Sequence, residues 1–326
     1  MLATRSAANT GIADADWDSA LQDAGGHFLQ STAWQRVQQA LSYTVVWARG
    51  DGWMWTGPIR SGRFPRYLYV PYGPAALAGH EDDAVLSAAG AARTHSLDFV
   101  RLEPLNAAAA TACERAGAIA ARPIQPRYTA TLDLSPDEAE LRAGLSAGHR
   151  GSINAAARRG LTFSAHRDPA AIDIFIGLDR GNARRGGFHG QSARYHRAVA
   201  DVLMPMGAAR LYTADAEGST VAAALCFDFA GTRHYAHAVS DMDRGRRLGA
   251  AAPLAWQMIL DARSAGMRTF DFWGVAPPGG QAHAWAGFTQ FKLAFGARVV
   301  ERGGAWELPV RQMRHRAFRL LQTLRR

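Results

Sequence analysis

Short runs of alternating apolar and polar residues recur along this chain, and they recur in the same order twice. In the first half, Tyr43–Arg49 alternates and is rich in β-branched residues, the turn Asp51-Gly52 follows, and Trp53–Ile59 and Tyr67–Val70 make two further strand patterns. Asp82–His95 then carries helical spacing, and Asp98–Leu102 predicts a last strand ending at Glu103-Pro104. In the second half, Arg210–Asp215, Val221–Phe229 and Arg233–Val239 predict three strands separated by the turns Glu217-Gly218 and Gly231-Thr232. A helix is predicted over Ala251–Ala265, stopped by Gly266, and then a strand over Thr269–Phe272 ending at Trp273-Gly274. Three meander strands, a helix and a further strand thus occur twice. That repeat predicts an α+β fold of two similarly built domains.

Between the copies, Thr129–Leu134 predicts another strand. Ser135-Pro136-Asp137-Glu138 reads as a helix start, with Ser at the cap, Pro in the first turn and an acid three residues on. Val310–Arg326 predicts one amphipathic helix. Its stripe of Val310, Met313, Ala317, Leu320, Leu321 and Leu324 is expected to pack back onto the first domain, with an anionic bilayer as the alternative surface. The 326 residues suit two domains, expected at 1–125, completed by 300–326, and at 126–299.

Composition sharpens this picture at two points. The formal net charge of +9 favours polyanionic partners such as nucleic acid, phosphorylated precursors or an anionic membrane. Of the 37 basic residues one is a lysine, Lys292, which leaves 36 arginines. Arg replaces Lys wherever only positive charge is needed, but not where a compact or titratable ammonium is required. Lys292, expected in a Gly- and aromatic-rich loop, is therefore a candidate for chemistry.

Other chemistries are not signalled. The chain carries no HExxH, no Cys/His set at zinc spacing, no P-loop, no GxSxG and no GxGxxG after a strand, so neither a metal nor another cofactor is expected. Cys113 and Cys226 sit in apolar, alanine-rich surroundings and read as small core residues. His27, His80 and His95 read as solvated or capping residues. No apolar run approaches membrane-spanning length, and Met1–Ser6 leads into no apolar core, so a cytoplasmic protein is expected.

The sequence resembles the Fem family of peptidoglycan interpeptide-bridge aminoacyltransferases. The likeness rests on Phe28-Leu29-Gln30-Ser31 with Trp34, Tyr69-Val70-Pro71-Tyr72-Gly73-Pro74, and Arg101-Leu102-Glu103-Pro104. It continues through Arg150, Ile153, Ala156 and Gly160, then Ala252–Ile259, Phe270–Val275, and Gly287-Phe288 with Phe291-Lys292 and Phe295-Gly296. The resemblance implies two tandem GNAT-like domains. It implies an aminoacyl-tRNA donor of a small amino acid, Gly, Ala or Ser. The acceptor it implies is the side-chain amine of a peptidoglycan precursor, lipid-linked or UDP-MurNAc-pentapeptide, which allows peripheral contact with the inner membrane face.

Residue by residue, Phe291-Lys292 matches the family's Phe-Lys pair, where the Lys acts at the aminoacyl ester; a fixed ammonium there would stabilise the oxyanion. Glu103 matches a position usually written as Asp and implies a proton acceptor for the attacking amine, with a capping or Arg101-paired role as the alternative. The family's phosphate-binding Lys after the first Trp falls on Gln38, with Arg36 two residues earlier. A second phosphate ligand falls near Gln191, with Arg184, Arg185 and Arg194 close by. Tyr72, Tyr235 and Trp273 complete the expected substrate-binding set.

Two other readings stay open. Arg246-Arg247-Leu248-Gly249-Ala250-Ala251 fits the R-x-x-G-x-A pyrophosphate loop of acyl-CoA-dependent GNAT enzymes, with Arg246, Gly249 and Ala251 at its fixed positions. Charge and the C-terminal helix alone would also suit a non-catalytic tRNA- or membrane-binding adaptor.

Overall fold

The computed structural model describes residues 8–62, 64–184 and 190–324. The chain divides into two compact units, Met1–Arg127 with Glu301–Arg326, and Tyr128–Val300.

The first unit is built on one mixed sheet. Its strands are β1 (Asn9–Thr10), β2 (Val45–Gly50), β3 (Trp53–Ser61), β4 (Arg66–Val70), β5 (Ala75–Ala76), β6 (Phe99–Leu102), β7 (Ile119–Ala120) and β15 (Trp306–Pro309). They run in the order β1-β2-β3-β4-β6-β15-β7, with β5 beside β3. The alternation seen in the sequence makes the meander β2-β3-β4. The helix Glu81–Thr94 then crosses back, so that β6 lies parallel to β4. Three acids open that helix and Arg93 closes it, matching its dipole. Its alanines let it lie close against Trp55, Leu68 and Val100.

The C-terminal segment returns to this unit, where β15 pairs antiparallel with β6 and β7. β15 brings a fully buried carboxylate, Glu307, which is bonded to Arg101 and, at 2.8 Å, to His315 of the C-terminal helix Gln312–Leu324. Arg314 of that helix pairs with buried Asp98. The helix does pack on the first unit, but not by its expected stripe. His315 is buried and Phe318 stacks on Phe99 with ring centroids 5.3 Å apart, whereas Met313, Leu320, Leu321 and Leu324 are exposed. The buried acid explains the inversion: it must be matched by cationic or proton-donating partners, and these lie on the polar face.

The second unit holds β8 (Tyr128–Asp133), β9 (Thr162–His166), β10 (Ala209–Ala216), β11 (Ser219–Phe229), β12 (Thr232–Ser240), β13 (Thr269–Gly274) and β14 (Arg298–Glu301). Their order is β14-β8-β13-β12-β11-β10-β9, with β12 and β13 running parallel. The helix Ala251–Ser264 covers one face, packing Leu254, Trp256 and Met258 with Phe270, Phe272 and Cys226. Both cysteines are buried and free, as core residues of their units. Among the described residues no helix is long and apolar enough to cross a membrane.

Candidate active site in the second unit

The two copies differ at one seam. In the first unit β4 and β6 pair along their whole length, from Tyr67 opposite Phe99 to Val70 opposite Leu102, and Glu103 N–H adds one more bond to Val70 C=O at 3.1 Å. In the second unit β12 and β13 pair only over Thr232–His234 and Thr269–Asp271, although β12 continues to Ser240 and β13 to Gly274. The strands therefore part after His234 and Asp271.

Both edges of this opening are irregular. On β12, Leu225 faces His237 while Cys226 faces Tyr235, so Ala236 is an inserted residue with no partner on β11. Such a bulge reverses the alternation of side chains. Tyr235 accordingly turns toward Phe270 and Phe272, and His237 toward the opposite face, where its Nε2 lies 3.1 Å from Tyr195 Oη. Burial, reinforced by His196, lowers the His237 pKa to about 3 and keeps the imidazole neutral. On β13 the pairing with β8 slips between Asp271 and Gly274. Trp273 has φ 65°, in the left-handed region, and its N–H donates to Asp271 Oδ1 at 2.8 Å. The carboxylate side chain stabilises a backbone turn that an aromatic residue adopts at a cost of order 1–3 kcal/mol.

Lys292 meets this turn. It lies not in a loop but in the helix Ala286–Leu293, no residue of which is fully buried. Its Nζ donates to Gly274 C=O at 2.6 Å. Burial lowers its pKa to about 8, against the opposing pull of the Asp271 carboxylate. At neutral pH it is an ammonium with three donors, one of them spent on Gly274. Phe291 is half-buried, its ring 5.1 Å from His149 and 5.4 Å from Phe295, and its C=O 3.0 Å from His149 Nε2. Phe291 thus orients the helix that carries Lys292. Burial lowers the His149 pKa as well.

The structure thus brings Lys292, Phe291, Trp273 and Tyr235 to the opening or its walls. The other expected residues fall elsewhere. Glu103 belongs to the first unit, is 2 % exposed, and its carboxylate accepts from Tyr69 Oη at 2.6 Å and from the N–H groups of Ile124 and Gln125 at 2.5 and 3.1 Å. Burial raises its pKa despite those bonds. The expected pairing with Arg101 is not made as a salt bridge, because Arg101 goes to Glu307. Tyr72, expected to bind substrate, is 2 % exposed with its hydroxyl on Pro126 C=O at 2.7 Å, a packing role. Gln38 is buried too, while Arg36 on the same helix is exposed. Gln191 is exposed, and Arg185 and the side chain of Arg184 lie outside the described residues. His27 is a cap, as expected, but buried, its Nδ1 accepting from Leu29 N–H.

The stretch expected as a pyrophosphate loop is largely a short helix, Arg244–Leu248, closed by Gly249 at φ 61°. Four of its amides are committed inside the protein: Arg246, Arg247, Gly249 and Ala250 donate to the carbonyls of Asp241, Asp243, Arg246 and Gly245.

Residues 146–286 match the acetyltransferase (GNAT) domain family. Among solved structures, FemX superposes with a TM-score of 0.81 at 16 % identity, over 95 % of this chain and 99 % of that one. The chain has the fold of FemX. That fold is two GNAT-like domains in tandem, as the repeated pattern predicts. The C-terminal domain of a candidate lysylphosphatidylglycerol synthetase from Agrobacterium fabrum superposes with a TM-score of 0.64 at 17 % identity, over 91 % of this chain and 93 % of that one. A tandem GNAT protein from the clavulanic acid pathway gives 0.56 at 14 %, over 93 % and 98 %. A search of the curated proteins found no match.

The parting of β12 and β13, and the histidine that the bulge turns to the far face, have no signature in the sequence. A bulge shifts the pattern by one residue, and Ala236 looks like any other small strand residue.

Proposed function

We propose that this chain is an aminoacyltransferase that moves a small amino acid from aminoacyl-tRNA to the side-chain amine of a peptidoglycan precursor. The carrying observation is the ammonium of the chain's only lysine, held by Gly274 C=O at the end of the opened seam, in the unit whose residues 146–286 match the GNAT family. The FemX fold and the net charge of +9 support the same reading, since donor and acceptor are both polyanionic.

In the reaction the acceptor amine attacks the ester carbonyl carbon of the donor. An amide bond forms, the ester C–O bond breaks, and the ribose hydroxyl leaves with a proton. Lys292 has two N–H donors beyond the one bound to Gly274, enough to hold the developing oxyanion or protonate the leaving oxygen. A pKa of about 8 keeps it charged at neutral pH yet makes it a better acid than an ordinary lysine. Phe291 and His149 fix the helix that aims it.

Acyl-CoA is disfavoured as donor because four amides of the loop that would grip its pyrophosphate, those of Arg246, Arg247, Gly249 and Ala250, are already bonded to protein carbonyls. Mass spectrometry of precursor incubated with the protein and a mixed pool of charged tRNAs tests the proposal. A mass gain of one or more small residues is expected. Transfer from acetyl-CoA instead, or a melting shift with CoA, would replace it with the acyl-CoA reading.

A further inference from the structure

Residues 310–324 hold four arginines and no acid. At 100° per residue, Met313, Ala317, Leu320, Leu321 and Leu324 of the C-terminal helix fall within an arc of about 100°, while His315 falls opposite and Phe318 about 60° beyond Leu321. The His315 and Phe318 side is the docked one, pinned by Glu307, Phe99 and Asp98. The apolar arc faces outward: Met313 is 76 % exposed, Leu320 62 % and Leu324 75 %. Exposed Arg316 borders it on one side, and Arg311 is exposed at the start of the same segment. The helix is 13 residues, or about 20 Å, long and is pinned by contacts from Arg314 to Arg319.

We propose that this face is a membrane-docking element that lies in the interface of an anionic bilayer. A protein surface would have to supply a matching apolar groove and acids; an anionic bilayer supplies both, an apolar layer within reach of shallow leucines and phosphates for the bordering Arg316. The inverted docking accounts for the rest. The polar face is used up in matching buried Glu307, so the apolar face is left outward on a platform that cannot collapse around it.

Co-sedimentation of the full chain with vesicles decides it. Binding is expected to vesicles of equal parts phosphatidylcholine and phosphatidylglycerol and not to phosphatidylcholine alone. Leu320→Gln with Leu324→Gln alters only exposed positions, so the melting temperature should hold while binding falls at least about tenfold. Arg316→Gln should weaken binding about fivefold. Equal binding to neutral vesicles, or binding untouched by the leucine pair, overturns the proposal. So does a concentration-dependent dimer in sedimentation equilibrium that the same pair abolishes, which would assign the face to a second copy.

Discussion

Lys292 Nζ and Gly274 C=O, 18 residues apart in sequence, meet at 2.6 Å where β13 has broken step with β8. That contact sets the first test. Lys292→Arg keeps the charge, but a planar guanidinium cannot place it on one oxygen as a compact ammonium does. Transfer should fall by a factor of about a hundred to a thousand, equivalent to about 2.7–4 kcal/mol in kcat/KM, with little change in Tm. Lys292→Met should be at least as damaging. Retention of more than about a third of the activity in Lys292→Arg would show that the lysine is dispensable.

A second test is pH. Transfer that needs the Lys292 ammonium should decline as pH rises through about 8. Stability should move the other way for this group. Its folded pKa lies below its unfolded value of 10.5, so between those values the unfolded chain binds more protons and folding gains with pH. The stabilisation is complete above the unfolded pKa and lost as pH falls through the folded one. Parallel pH profiles of kcat/KM and of denaturant midpoint should therefore diverge; an activity profile flat to pH 9.5 would exclude a required ammonium.

In the proposed reaction Asp271 is a positioning residue. Its carboxylate raises the pKa of Lys292 and accepts from Trp273 N–H. Asp271→Asn keeps an acceptor for the turn but removes the charge, so the alkaline limb of the kcat/KM profile should shift to lower pH. A purely structural role for Asp271 would leave the midpoint in place while lowering stability.

In the first unit, Glu307→Gln removes the charge that Arg101 and His315 enclose. Breaking a buried pair from one side typically costs about 3–5 kcal/mol, so a marked fall in Tm is expected, with early proteolysis of the C-terminal helix. A change below about 1 kcal/mol in equilibrium unfolding would mean that packing around Phe318 alone holds the helix.

Much of this architecture is legible in the sequence because meander strands are local. Alternation and turn glycines place β2 to β4 and β10 to β12 to within a few residues, and the same order in both halves discloses the repeat. Pairing across long separations is not legible: Thr129–Leu134 reads as a strand, but nothing in it names β13 as a neighbour. Lys292 stands out by scarcity, yet its helix does not, since a helix without a buried residue has no apolar stripe to betray it. The C-terminal stripe misleads for the opposite reason. Amphipathicity shows which residues share a face, but only the buried Glu307 decides which face turns inward.

The β4–β6 seam of the first unit and the β12–β13 seam of the second give the two copies different breathing. Backbone amides along β4 and β6 are locked on both sides, and release their hydrogens only when the first sheet opens as a whole. Between Tyr235 and Ser240, amides that point away from β11 have no ladder on the β13 side and should exchange many times faster. A donor lying along that edge would slow them selectively. Hydrogen exchange can therefore report occupancy of the second unit against a steady internal reference, the sealed copy carried in the same chain.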